Sequence, residues 1–105
     1  MQRVALAASN WGATGYLART FSDRLFGVRR VPHGSVVVLS TTSVHSLGLR
    51  GTLDLIGVDD RMRVVATMPL PPNRVRVIPS ARLIVEIPAG GPLPEVGDQI
   101  EIEYG

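Results

Sequence analysis

The chain contains no cysteine, which excludes disulfides, thiolate metal sites and cysteine nucleophiles together. It contains no lysine either. All eleven basic residues are Arg, so Schiff-base lysine chemistry and a phosphate-loop lysine are also excluded. Aromatic residues amount to 5%, too few for the stacking platforms that read single-stranded RNA. No stretch approaches the roughly 20 apolar residues of a membrane span, and Val4–Ala8 is too short for a secretory core. A cytoplasmic protein is the expectation. No Gly-x-Ser-x-Gly elbow, Gly-x-Gly-x-x-Gly loop or Walker sequence occurs.

What is present is an ordinary globular balance: 45% hydrophobic and 19% charged residues over 105 positions, enough for one domain with one core. The net charge of +2 is unevenly spread. Residues 1–50 carry six Arg and one Asp, whereas residues 51–105 carry five Arg and eight acids. That asymmetry favours an anionic partner for the first half, but only modestly.

Local patterns predict a mainly β domain with one short helix. Val4–Ala8 and Tyr16–Arg19 read as strands around a turn-rich Ser9–Gly15. Thr20-Phe21-Ser22-Asp23 has the form of a capping box and Gly27 suits a helix C-terminus, so a helix is expected over Phe21–Phe26. Leu17, Phe21, Leu25 and Val28 share a helical face, which would allow an earlier start. The β-branched run Ser35–Ser40 predicts a buried strand. Thr52–Val58 and Met62–Met68 predict a hairpin around Asp59-Asp60-Arg61. Three prolines place Pro69–Asn73 in a loop or at a sheet edge. Arg74–Val77 alternates, and Leu83–Ile87 is a further strand. After the loop Pro88–Glu95 and the turn at Gly97-Asp98, Gln99–Tyr104 alternates with Ile100, Ile102 and Tyr104 inward. The expected architecture is a compact, strongly twisted antiparallel sheet or partly closed barrel with one short N-terminal helix.

From about residue 17 to the C-terminus, the order of motifs resembles the domain-of-unknown-function 192 family of bacteria and archaea. The resemblance rests on Arg24-x-x-Gly27-Val28-x-Arg30, on the run His45 to Asp54, and on Val58-Asp59 with Arg63-Val64-Val65. It continues through Leu70-Pro71-Pro72-x-Arg74 and Ala81–Glu86 to Gly90, Gly97 and Asp98. Leu49 stands where the family has Met, Gly51-Thr52 replaces an aromatic-Pro pair, Gly57 replaces Phe, and Asn73 replaces an aromatic residue. The resemblance therefore implies a fold and candidate positions, with a thinned apolar patch near Arg50 and Asp54. It implies no reaction.

The densest part of that match contains His45, Arg50 and Asp54. A His beside an Asp can work as a general base, and an Arg can hold a carboxylate or phosphate bidentately. The structural alternative is an Arg50–Asp54 ion pair that locks a hairpin while His45 packs. Glu86 lies within an apolar strand, and an ionised carboxylate there needs a cation or backbone donors. The functional alternative is that Glu86, with Arg24, belongs to the floor of a polar binding pocket. Arg24 or Arg50 is the expected partner, and Glu86→Ala should then cost roughly 3–5 kcal/mol. Asp54, Asp59 and Asp60 lack the spacing of a calcium loop. His33 and His45 match no metal motif, and no cofactor is expected. Arg29-Arg30, Arg61-x-Arg63 and Arg74-x-Arg76 suggest a basic strip, but alternating Arg on a solvent face is the commoner outcome. Together these features favour a small non-enzymatic β domain that binds a protein partner or small anionic ligand near His45, Arg50 and Asp54. Self-association into a homodimer is left open. The competing reading is a hydrolase or isomerase with His45 and Asp54 as the acid–base pair and Arg50 as the anion clamp.

Overall fold

The computed structural model describes residues 1–19 and 35–105. The expected helix Phe21–Phe26, with Arg24, Gly27, Arg29, Arg30 and His33, lies outside them. The described residues form strands and turns and contain no helix. None of them therefore forms a helix long and apolar enough to cross a membrane.

Strands β1 (Gln2–Ala8) and β2 (Trp11–Ala18) form a hairpin with Ala8 paired to Trp11. The turn is therefore only Ser9-Asn10. The expected loop Ser9–Gly15 is mostly strand, because cross-strand pairing outweighs the turn propensity of Gly12 and Gly15. Leu17 also belongs to β2 and not to a helix. Strand β3 (Val36–Leu39) lies parallel to β2, so the sheet is not purely antiparallel. Gly15 permits that approach. A Cβ there would stand 2.7 Å from the Val36 carbonyl carbon and closer still to its oxygen and Cγ2.

Strands β5 (Leu53–Val58), β6 (Val64–Leu70), β8 (Leu83–Pro88) and β9 (Glu101–Tyr104) complete a seven-stranded sheet of order β6-β5-β8-β3-β2-β1-β9. Pro69 sits in β6, an edge strand, where its missing N–H costs no ladder bond. The β5–β6 turn is organised by Asp59, whose Oδ1 accepts the amides of Arg61 (2.9 Å) and Arg63 (3.0 Å). A bulge at Val65 bends β6. A separate two-stranded ribbon pairs β4 (Ser43–His45) with β7 (Val75–Val77).

Strict alternation divides the core between the two faces of the sheet. On the first face Val4, Leu6, Trp11, Val36, Val38, Ile56, Val58, Val64, Val85 and Ile100 pack together. The sheet curls around them without closing. The chain leading into β9 returns to the start of β6, with Ile100 N–H donating to Met62 O (2.7 Å) and Val64 N–H to Asp98 O (2.9 Å). Trp11 Nε1–H donates to Pro92 O (3.0 Å) and ties the 89–96 loop to this face.

On the second face, Val37, Leu39, Leu53, Leu55, Leu70 and Ile84 receive Val44 of the ribbon and Ile78 and Ala81 of the following turn. Gly57 makes room here. A Cβ would meet Ile78 at 3.0 Å, so a Phe at this position is incompatible with this packing of Ile78. Tyr104, expected inward, is 59% exposed because β9 is the outermost strand.

Candidate functional site

Glu86 occupies the centre of the large sheet, on β8 between β3 and β5. Its cross-strand partners are Val37 and Leu55, so its carboxyl shares the second face with two fully buried aliphatic side chains. It is 6% exposed. Burial, which disfavours the charged form, pushes its pKa up to about 7. Arg50, one expected partner, is exposed and forms no ion pair with it. Arg24, the other, lies outside the described residues.

The structure does not bring His45, Arg50 and Asp54 together. His45 ends β4 on the ribbon, and its Nδ1 accepts the Leu47 amide at 3.3 Å. Arg50 lies in the exposed loop before β5. Asp54 alternates with Leu53 and Leu55, which face the ribbon side, so its carboxylate projects from the opposite face. There its Oδ2 accepts the Gly90 amide at 3.3 Å. No ion pair joins Arg50 to Asp54 among the described residues.

What organises this stretch is Ser46, a residue the sequence reading passed over. It is fully buried, its Oγ donates to Pro71 O, and it accepts the Arg74 amide at 3.0 Å. Asn73 holds the same junction from the other side. It adopts φ 58°, and its Oδ1 accepts the Gly48 amide at 3.0 Å. Position 73 thus has a backbone role: Asn tolerates the left-handed region that bulkier residues resist.

A concavity of about 440 Å³ lies elsewhere, over β1, β2 and β9. Arg3, Thr14, Tyr16, Ser35, Glu103 and Tyr104 provide its polar lining. Register explains the assembly. Arg3 is opposite Tyr16, and Ala5 is opposite both Thr14 and Glu103, so these side chains stand on one face. Along the same cross-strand row, Tyr16 is followed by Val37 and then Glu86. A shallower trough contains Ser40, Asp60, Ser80 and Arg82. Neither concavity is lined by His45, Arg50, Asp54 or Glu86. No group of three or more His, Asp or Glu suited to a metal ion occurs among the described residues.

No family profile matches the chain, and no curated protein matches it. Solved structures do. A protein of unknown function from Novosphingobium aromaticivorans superposes with a TM-score of 0.72 and 18% identity, over 94% of this chain and 83% of that one. A Sinorhizobium meliloti protein described as a "putative transcription regulator" superposes with a TM-score of 0.73 and 19% identity, over 95% and 92%. A hypothetical protein from Synechocystis gives 0.66 and 15%, with this chain spanning 19% of its length. These similarities establish a shared fold.

Proposed function

We propose that this chain is a small non-enzymatic binding domain whose ligand is a small organic acid carrying a hydroxyl or amino donor. The observation that supports this reading is the concavity over β1, β2 and β9. It brings together one cation, Arg3, and one acid, Glu103. Thr14 and Tyr16 stand on the same face, and Ser35 also lines the concavity. Its volume lies within the range of small-ligand sites, about 300–1,000 Å³. In this reading the carboxylate of the ligand meets Arg3, and its donor group meets Glu103.

The hydrolase or isomerase reading has less geometric support, since His45 and Asp54 have different partners and Asp54 faces away from the ribbon. A nucleic-acid role would follow if this chain shared the transcription-regulator role suggested for the Sinorhizobium neighbour. It gains little from the basic pairs. Arg63 donates to Gly97 O, Arg74 to Asn73 O and Arg76 to Val75 O, so each of these guanidiniums is turned onto backbone. We propose as well that the chain belongs with the domain-of-unknown-function 192 family, on the strength of six motifs in order.

Titrating the domain with lactate, glycine and acetate while recording amide chemical shifts tests the ligand reading. Saturable shifts centred on Arg3, Tyr16 and Glu103 are expected for the bifunctional acids. Arg3→Ala should weaken them about tenfold or more, the usual effect of losing a charge-assisted hydrogen bond. Shifts that are absent, or unaffected by Arg3→Ala, reject the site.

A further inference from the structure

Two open strand edges on this domain are complementary to each other. The first is the outer edge of β7, the strand of the ribbon not covered by β4. Ser46 N–H donates to Arg74 O (2.9 Å) and Ile78 N–H to Thr42 O (2.7 Å), so residues 74, 76 and 78 point their backbone groups towards β4. Val75 and Val77 therefore point theirs outward. The second edge is β9, the last strand of the large sheet. Gly105 N–H donates to Arg3 O (2.9 Å), so residues 105, 103 and 101 face β1, and Ile102 and Tyr104 point their backbone groups outward.

Among the described residues no backbone partner reaches the amides of Val75, Val77, Ile102 or Tyr104 on those outer sides. Among the described residues six large hydrophobic side chains are well exposed, and three of them lie on these two edges: Val75 (57%), Val77 (58%) and Tyr104 (59%). That concentration marks the edges as a pairing surface.

Charge selects the partner. Joining two β9 edges would set Glu101 and Glu103 against the same acids, and joining two β7 edges would set Arg74 and Arg76 against the same bases. Joining β7 to β9 sets base against acid. An antiparallel match with Ile102 opposite Val77 and Tyr104 opposite Val75 uses all four outward-facing residues. It also puts Glu103 opposite Arg76, with Arg74 and Glu101 on the diagonals. Within one chain β7 and β9 belong to separate sheets that are not paired. We propose that the domain self-associates through this pairing, with β7 of one copy adding to β9 of the next. The Arg76 guanidinium, which now caps Val75 O at 3.1 Å, is released to meet Glu103 of the second copy.

The test is sedimentation of the purified domain over a range of concentrations, with no ligand added. Self-association is expected from the wild type, above the mass of the 11.3 kDa chain. It should be lost in about 1 M salt, where the screening length is ~3 Å. Arg76→Glu alone and Glu103→Arg alone should each weaken self-association by about tenfold or more, because a favourable cross-strand pair becomes a like-charge pair. Mixing the two variants should restore association between them. Circular dichroism melts check that both variants remain folded. A second pair of cysteine variants, Arg76→Cys and Glu103→Cys, should form a disulfide only when mixed. A wild type that stays monomeric up to about 1 mM overturns the proposal, as does association that survives both charge reversals. Because no ligand is present, neither result depends on the ligand reading.

Discussion

Replacing Glu86 by Gln should stabilise the domain at neutral and alkaline pH and do little in acid. The folded carboxyl has a pKa of about 7, against 4.5 for the free group, because burial disfavours its charge. Between those values the folded state holds a proton that the unfolded state has released. Stability from this group is therefore fully present below about pH 4.5 and is lost as pH rises through about 7. At roughly 1.4 kcal/mol per unit, the loss amounts to about 3 kcal/mol. Gln has nearly the same shape and no charge to desolvate. The stability difference between Glu86→Gln and wild type should therefore grow by about 3 kcal/mol from about pH 4 to about pH 8. The other carboxylates titrate alike in both proteins and cancel. Urea unfolding followed by the fluorescence of Trp11, the single Trp, measures this directly. A difference that stays flat across that range would falsify the reasoning. It would mean that a cation holds Glu86 ionised in the fold, as the sequence reading expected of Arg24 or Arg50. In that case Glu86→Ala would carry the 3–5 kcal/mol penalty of a stranded partner.

Gly15→Ala should lower the urea midpoint by the equivalent of about 2–3 kcal/mol, since its Cβ would press on the Val36 backbone and force β2 and β3 apart. Little change would mean that the parallel pairing is looser than described. Ser46→Ala should cost about 1–3 kcal/mol by leaving the Arg74 amide and the Pro71 carbonyl without their hydroxyl partner. Amide exchange at Arg74 and Gly48 should rise together, and unchanged protection at both would remove Ser46 from the role assigned to it.

The sequence determined by itself those features that depend on neighbouring residues. The β-branched run at 36–39, the hairpin about Asp59, the edge position of Pro69 and the central burial of β8 all follow from alternation, turn chemistry and the missing proline N–H. Tertiary pairing decided the rest. Nothing local in Trp11–Gly15 signals a strand, because its conformation is fixed by β1 on one side and β3 on the other. The run His45 to Asp54 places three reactive side chains close in sequence. A strand's two-residue period and a separate ribbon then send them to different surroundings. The concavity was invisible for the converse reason. Arg3, Tyr16 and Glu103 are far apart in the chain, and only the antiparallel stacking of β1 against both β2 and β9 sets them on one face.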